Sequence, residues 1–386
     1  SEAGTTVQVE HGEWVNDNNG ATSRGNDGPE GSIYNANYRG ATANTFYTTA
    51  GLDHESWCPN FSFYGFQYIE ISGIDYEPSL DDVLGIAVHS DFADIGEFSC
   101  SDDFLNRVQH LCRWSTISNM HSIPTDCPHR EKNGWTGDVS LSSEQMLTNF
   151  GTRAFLAKWS RDMRIAQRPA GQIPCVVPST GWGYYGLMGP DWSSALINVP
   201  YNIYVYNGDV EMLRKNYDAI KRNCDFMETM TVDYTLDYGT GDWCAPFEGP
   251  AIGKNMGAYK CPTEVSDTGF FYNAANTLAK LAKMFGKADD EAYYTDLAAT
   301  IRGVFREKFF DKETFTVKGD CQTATATMLF FGLYDDDEEK LMNDGGEVGK
   351  PHIDTDEPSN NIMIIRDLNL TQRAVINRLI DSWNGK

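Results

Sequence analysis

Tyr206-Asn207-Gly208-Asp209-Val210-Glu211 joins two helix-like stretches through little more than one glycine and one aspartate. Glycine accepts the left-handed backbone that ends a helix, and aspartate accepts from the free N–H groups that begin the next. Apolar spacing predicts helices over 195–206 and 210–230 on either side. The stretch Phe285-Gly286-Lys287-Ala288-Asp289-Asp290-Glu291 has the same form, with helices expected over 268–285 and 290–309. Helices joined so tightly run antiparallel. Further helices are expected over 156–165 and 324–334. Repeated hairpins of this kind predict a toroid of paired helices. The longer loops between them, 171–192 and 238–262, carry Trp, Pro and Gly and are expected to gather at one mouth, where a site can form.

Outward from this region, towards the N-terminus, the pattern changes. Short runs rich in Tyr, Phe, Thr and Ile predict strands over 6–10, 43–49, 67–72 and 84–89, punctuated by Gly, Asn, Asp and Pro. This spacing predicts an antiparallel β-sandwich. Near Phe98 the period turns helical. Ser101-Asp102-Asp103 is expected to cap a helix bearing Phe104, Leu105, Val108, Leu111, Cys112 and Trp114. Two domains are therefore expected, a β-sandwich over 1–97 and the helical toroid over 98–386. Asp17-Asn18-Asn19-Gly20, in the polar loop 16–31, has the start of a calcium loop but no closing Glu, so a solvated loop is expected there.

At 386 residues the chain exceeds what one core usually serves, and with 41% hydrophobic residues it can bury a sizeable core. The net charge is -24. That balance disfavours a nucleic-acid partner and an anionic membrane surface. No apolar run is long enough to span a bilayer, and no signal peptide opens the chain; neither a cytoplasmic nor an exported address can be read from it. The nine cysteines contain no CxxC, so zinc signatures are lacking and mostly free, buried thiols are expected. P-loop, GxSxG and GxGxxG patterns are absent too. Neither metal nor organic cofactor is expected. Most of the aromatic residues suit a core, whereas Trp135, Trp182, Trp192 and Trp243 lie beside Gly, Asp or Pro, in loop contexts where an indole can stack on a sugar ring.

Chemistry concentrates in His121-Ser122-Ile123-Pro124-Thr125-Asp126-Cys127-Pro128-His129-Arg130-Glu131-Lys132-Asn133-Gly134-Trp135-Thr136-Gly137-Asp138. Three carboxylates, Asp126, Glu131 and Asp138, lie close together, and Pro124 and Pro128 exclude a regular helix through the first part. Such a segment can be a solvated charged loop or a site. Trp135, Arg130 and two glycines make a poor composition for simple solvation. His121, Cys127 and His129 could be read as metal ligands, but with no second Cys/His cluster ordinary core or loop roles are expected.

The run Pro-Thr-Asp-Cys-Pro-x-Arg-Glu-x-x-Gly-Trp-Thr-Gly-Asp resembles the hallmark of the α-L-rhamnosidases of glycoside hydrolase family 78. The likeness extends to Phe61-Ser62-Phe63-Tyr64-Gly65-Phe66-Gln67-Tyr68-Ile69-Glu70, His89-Ser90-Asp91-Phe92 and Gly96-Glu97-Phe98-Ser99-Cys100-Ser101, and downstream to Asn207-Gly208-Asp209 and Gly241-Asp242-Trp243. It implies a β-sandwich followed by an (α/α)6 barrel, and inverting hydrolysis of terminal rhamnose. Glu131 falls where the family has its general acid, Asp126 and Asp138 where it binds rhamnose hydroxyls, and Arg130 and Trp135 on lining positions. Asp191, Trp192, Asp242 and Trp243 resemble the next mouth loops. Many members have one more residue between Asp126 and the Gly-Trp pair, a departure that bears on the geometry of Glu131. Chemistry agrees with these roles. An inverting enzyme needs a protonated carboxyl at the leaving oxygen and a carboxylate that activates water opposite it. A Glu among apolar neighbours can hold such a proton, and ionised Asp accepts from paired hydroxyls.

Two rivals share the fold: a rhamnoside-binding relative without hydrolysis, and a glycosidase of another sugar. The family's general base is a late Glu in a Trp-Glu-x-Trp-like context, which this sequence does not show. Its late acids, Glu338, Glu339, Glu347 and Glu357, stand in polar or acidic runs. The expectation is a fragment, or an end that departs from the family, with a barrel open on one side. Rhamnoside hydrolysis by the chain alone should then be absent or very slow, and azide, an anion that needs no general base, should partly restore it. Robust turnover of a rhamnoside without azide would show that a base lies within these residues.

Overall fold

A computed structural model describes residues 2–20, 25–179, 181–184, 189–241, 243 and 261–335. The chain divides into two compact units, one of residues 1–135 with 148–155 and the other of 136–147 with 156–386.

In the first unit β1 (Thr6–Gly12), β2 (Asn44–Thr48) and β3 (Tyr68–Ser72) form an antiparallel sheet in the order β2-β1-β3. Val9 stands opposite Thr45 on one side and Ile71 on the other. These three strands are the predicted ones, the first longer by two residues and the other two slightly shorter. The fourth is a correction: residues 84–89 form no strand, and Leu84, Ile86 and Val88 are exposed. Their alternation suits a strand, but the described sheet has three members and offers them no ladder. In the loop read against calcium, Asn16 is buried and bonds Ser32, Ile33 and Asp27.

Helix α1 (Asp103–Ser118) starts where expected, with the Asp102 carboxylate accepting the Phe104 N–H at 2.8 Å. Its apolar residues Phe104, Val108, Leu111 and Trp114 are nonetheless exposed, so among the described residues the predicted core face is largely uncovered. The polar side anchors the helix instead. Arg113 donates to Gly96 O, Asn149 Oδ1 and Asp94, with its guanidinium 4.5 Å from the Phe150 ring centre. Gln109 donates to Asn149 Oδ1 at 2.6 Å, which explains why 148–155 cluster with this unit.

The second unit holds α2 (Thr136–Asn149, to Leu147), α3 (Arg153–Ala166, from Leu156), α4 (Pro190–Ser193), α5 (Ala195–Asn207), α6 (Val210–Thr229), α7 (Thr263–Met284), α8 (Ala288–Phe309) and α9 (Gln322–Phe331). All six expected helices are present, with shifted ends. Leu156, Trp159, Ile203, Leu213, Ile220, Phe271, Leu278, Tyr294 and Phe305 are buried between them. Polar pairs also cross these interfaces: Ser140 with Ser194, Asn202 with Ser143, and Ser160 with Asn216.

The α5–α6 junction is as read from the sequence. Gly208 is left-handed at φ 69°, and Asp209 accepts the Met212 N–H. The α7–α8 junction differs. Gly286 is left-handed, but Lys287 begins α8 without a side-chain cap. Asp290 lies inside the first turn and accepts from Lys221 Nζ and Tyr217 Oη, both at 2.7 Å. A tertiary ion pair takes the carboxylate that local chemistry would have used as a cap. Among the described cysteines Cys175, Cys224 and Cys261 are buried, whereas Cys58, Cys100 and Cys112 are exposed, against the expectation of burial.

No atom lies within 4 Å of a Cβ built on Gly208 or Gly303. Substitution at either position therefore reports backbone conformation alone. Gly208→Ala, at positive φ, should destabilise the unit by about 1–2 kcal/mol. Gly303→Ala, inside α8, should stabilise it by about 0.5–1 kcal/mol. Denaturant midpoints with unchanged slopes would measure both, and equal signs would refute the assigned backbone at one of them.

Candidate active site

Asp126 and Asn133 close the loop between them twice. The Asp126 N–H donates to Asn133 O at 2.9 Å, and Asp126 Oδ1 accepts the Asn133 N–H at 2.9 Å. Asp126 Oδ2 accepts from the Cys127 thiol at 3.0 Å, and Cys127 Sγ accepts the Glu131 N–H at 3.3 Å. Burial and the neighbouring carboxylate push the Cys127 thiol up, away from the nucleophilic thiolate. Lys132 takes the left-handed conformation at φ 54°, and its ammonium donates to Phe63 O at 2.7 Å while lying over the Phe63 and Tyr64 rings. The first part of the segment is thus a bonded turn, as its prolines require.

Glu131 projects from this turn with both oxygens engaged. Oε2 accepts the Trp135 indole N–H at 2.8 Å, and Oε1 lies 3.1 Å from Arg39 Nη2. Trp135 is buried, 8% exposed, so its indole is a fixed donor. Arg130 donates to Asn37 O at 3.2 Å. Buried His129 sits 3.2 Å from Glu13, an ion-pair distance without hydrogen-bond alignment. Burial lowers its proton affinity. His121 is stacked on Phe63 at 3.7 Å. Among the described residues no cluster of His, Cys, Asp and Glu could hold a metal ion.

In the second unit the hallmark continues into α2, whose first turn holds Asp138. A Cβ on Gly137 would lie 2.7 Å from the Trp192 ring, so only glycine admits the indole there. Trp192 meets Trp243 edge to face at 6.0 Å, and its buried indole N–H has no hydrogen-bond partner among the described residues. Trp243 and Trp182 are exposed. Asp191, 9% exposed, accepts at Oδ2 from the Thr240 N–H and hydroxyl and at Oδ1 from the Trp192 N–H. Asp242 lies outside the described residues, as do Glu338, Glu339, Glu347 and Glu357.

Sequence reasoning missed two participants, Arg39 and Asp267. Asp267, in α7, is completely buried. Its Oδ2 accepts the N–H groups of Tyr238 and Gly239 at 2.9 and 2.6 Å. Three successive backbone amides, 238 to 240, are thus held by two buried carboxylates. A Cβ on Gly239 would lie 2.4 Å from Asp267 Oδ1, so only glycine fits between them. Burial pushes Asp267 well above the usual carboxylate range, and the charge of Asp191 pushes the same way. Burial raises Asp191 too, against the hydrogen bonds from Thr240 and Trp192. The one visible signal was the polar run Ser266-Asp267-Thr268 within an otherwise apolar helix face.

A carboxyl loop with an engaged Glu precedes helical hairpins whose loops carry paired indoles, and family models match both stretches. The bacterial α-L-rhamnosidase six-hairpin glycosidase domain matches residues 93–347, and the bacterial α-L-rhamnosidase concanavalin-like domain matches residues 1–89. This chain belongs to the bacterial α-L-rhamnosidase family. An α-L-rhamnosidase of Formosa agariphila is 32% identical over 316 residues, which are 81% of this chain and 34% of that protein. The crystal structure of the Streptomyces avermitilis α-L-rhamnosidase complexed with L-rhamnose superposes with a TM-score of 0.78 at 31% identity, over 89% of this chain and 31% of that one. The α-L-rhamnosidase from Dictyoglumus thermophilum gives 0.76 at 32% identity, over 87% and 36%. The chain spans about a third of the length of these relatives.

The raised proton affinity of Asp267 has a consequence for stability. A carboxyl raised in the folded state contributes stability that is present below its unfolded pKa and is lost as pH rises through the folded value. Asp267→Asn keeps an acceptor for the two amides and removes the charge. Its melting temperature relative to the parent should therefore increase as pH rises above the usual carboxylate range. A difference that stays flat, or runs the other way, would show that burial does not raise this group.

Proposed function

We propose that the chain carries the acid half of an inverting, exo-acting α-L-rhamnosidase site and binds terminal α-L-rhamnose. Glu131 is the general acid. The observation that carries this reading is the Glu131–Trp135 hydrogen bond inside the closed loop, which fixes one carboxyl oxygen on a buried indole. A general acid needs this kind of fixed placement at the leaving oxygen. Asp126, Arg130, Trp135 and Asp138 bind the sugar. The two Asp126 oxygens each retain a lone pair beyond their loop contacts, enough to accept from rhamnose hydroxyls. Asp191 positions its loop, while Trp192 and Trp243 offer ring surface. The relatives are named α-L-rhamnosidases, and one was solved with L-rhamnose, which supports rhamnose as the sugar. Hydrolysis proceeds by proton transfer from Glu131 to the glycosidic oxygen while water, activated by a carboxylate on the opposite face, attacks the anomeric carbon.

Glu131→Gln tests the assignment. It should lower hydrolysis of alkyl and sugar rhamnosides by about 10²–10⁴-fold, because alkoxide leaving groups need the proton. Nitrophenyl rhamnoside should suffer far less, since nitrophenolate leaves with little protonation. Rates measured on both substrates, with azide added where water attack is slow, decide the matter. Equal and mild losses would remove Glu131 from the chemistry.

A further inference from the structure

The Arg39–Glu131 pair is not part of the hallmark. Arg39 follows a 3-10 turn, Asn35–Tyr38, in the left-handed conformation at φ 52°, with its N–H bonded to Ala36 O. That geometry sends the side chain across 92 positions of sequence to Glu131. The two partners differ in exposure. The Arg39 side chain is 64% exposed and that of Glu131 29%, so the guanidinium stands on the open side of the acid. Among the described residues Glu131 is its only side-chain partner, through one nitrogen of a fork that can grip a planar carboxylate with two.

A general acid faces the oxygen joining rhamnose to its leaving unit. A cation touching that acid from the open side therefore stands beside the leaving unit, away from the rhamnose. The surrounding loop contributes further positive charge. Arg130 and Lys132 direct their cationic groups at backbone carbonyls, those of Asn37 and Phe63. Such a grouping is unusual in a chain of net charge -24, which otherwise repels an anionic ligand. A leaving unit with its own carboxylate would offer Arg39 a second partner of the same chemistry as Glu131.

We propose that Arg39 is a specificity residue that recognises a carboxylate on the leaving unit, so that the preferred ligand is rhamnose linked to a uronic acid. The inference rests on the rhamnosidase reading above. The guanidinium exchanges one carboxylate for another, from Glu131 in the free protein to the uronate in the complex, and returns when the uronate departs.

Calorimetry on the full chain tests this without requiring turnover. The probes are L-rhamnose, an S-linked rhamnosyl glucuronic acid that cannot be hydrolysed, and its methyl ester. The acid should bind roughly tenfold or more tightly than the ester, the scale of a hydrogen bond to a charged group. Arg39→Gln should bring the two within about twofold by weakening the acid alone, and Arg39→Lys should keep part of the difference, since charge without the fork is a weaker match. Circular dichroism and L-rhamnose affinity show whether each variant is folded with its sugar site intact. If L-rhamnose binds but acid and ester bind equally, or if the ratio survives Arg39→Gln, the inference is wrong and the rhamnoside reading stands. If neither L-rhamnose nor either thioglycoside binds the parent chain, the rhamnoside reading falls and this inference falls with it.

Discussion

The pair of hydrogen bonds between Asp126 and Asn133 is the constraint on which the carboxyl loop depends. A turn through Pro128 cannot satisfy its amides by helix formation, and an amide left without a partner away from water costs about 1–3 kcal/mol. Here one residue answers for another at backbone and side chain together. Cys127, accepting from Glu131 N–H and donating to Asp126, fastens the interior of the same turn. Glu131 and Trp135 leave this closed ring from opposite sides of Asn133, so their hydrogen bond is set by the backbone and not by side-chain choice. A residue inserted in the ring would change the register of Glu131 against Trp135.

A second constraint acts in the hairpin unit. Burying two carboxylates near each other is costly, since each must be desolvated and their charges repel. Asp191 and Asp267 offset the cost by accepting from consecutive amides of one segment, 238 to 240, and from the Thr240 hydroxyl. No other side chain of comparable size accepts so many bonds in so small a volume. The segment so held leads within a few residues to Trp243, and Asp191 is followed directly by Trp192. The two indoles that meet edge to face therefore both descend from the carboxylate clamp. Gly239 and Gly137 are the close approaches this packing demands.

What was legible in the sequence was local. The Gly208-Asp209 junction could be read because a left-handed glycine and an adjacent cap are properties of neighbouring residues. The second junction failed at Asp290 because Lys221 and Tyr217, far away in sequence, claim that carboxylate. Residues 84–89 show a strand's alternation, but pairing needs a partner edge, which alternation does not reveal. The α1 face reads as core by its spacing, and exposure of Phe104, Leu111 and Trp114 depends on what packs there. Asp126, Arg130, Glu131 and Trp135 could be singled out because they share one short stretch that resembles a family hallmark. Asp267 was missed because its partners are backbone amides, which leave no mark on residue type. Arg39 was missed because its role exists only through a contact spanning 92 positions.

The three indoles differ in how far their polar and apolar parts are committed. Trp135 is buried and its N–H is committed to Glu131. Trp243 keeps an exposed face, which suits stacking on pyranose C–H groups, and Trp192 buttresses it at right angles. An acid must be placed to within a fraction of an ångström, whereas a stacked ring tolerates sliding. The Trp135 donor is taken by the Glu131 side chain and the Asp191 acceptors by Thr240 and the Trp192 N–H, whereas Trp243 keeps ring face open.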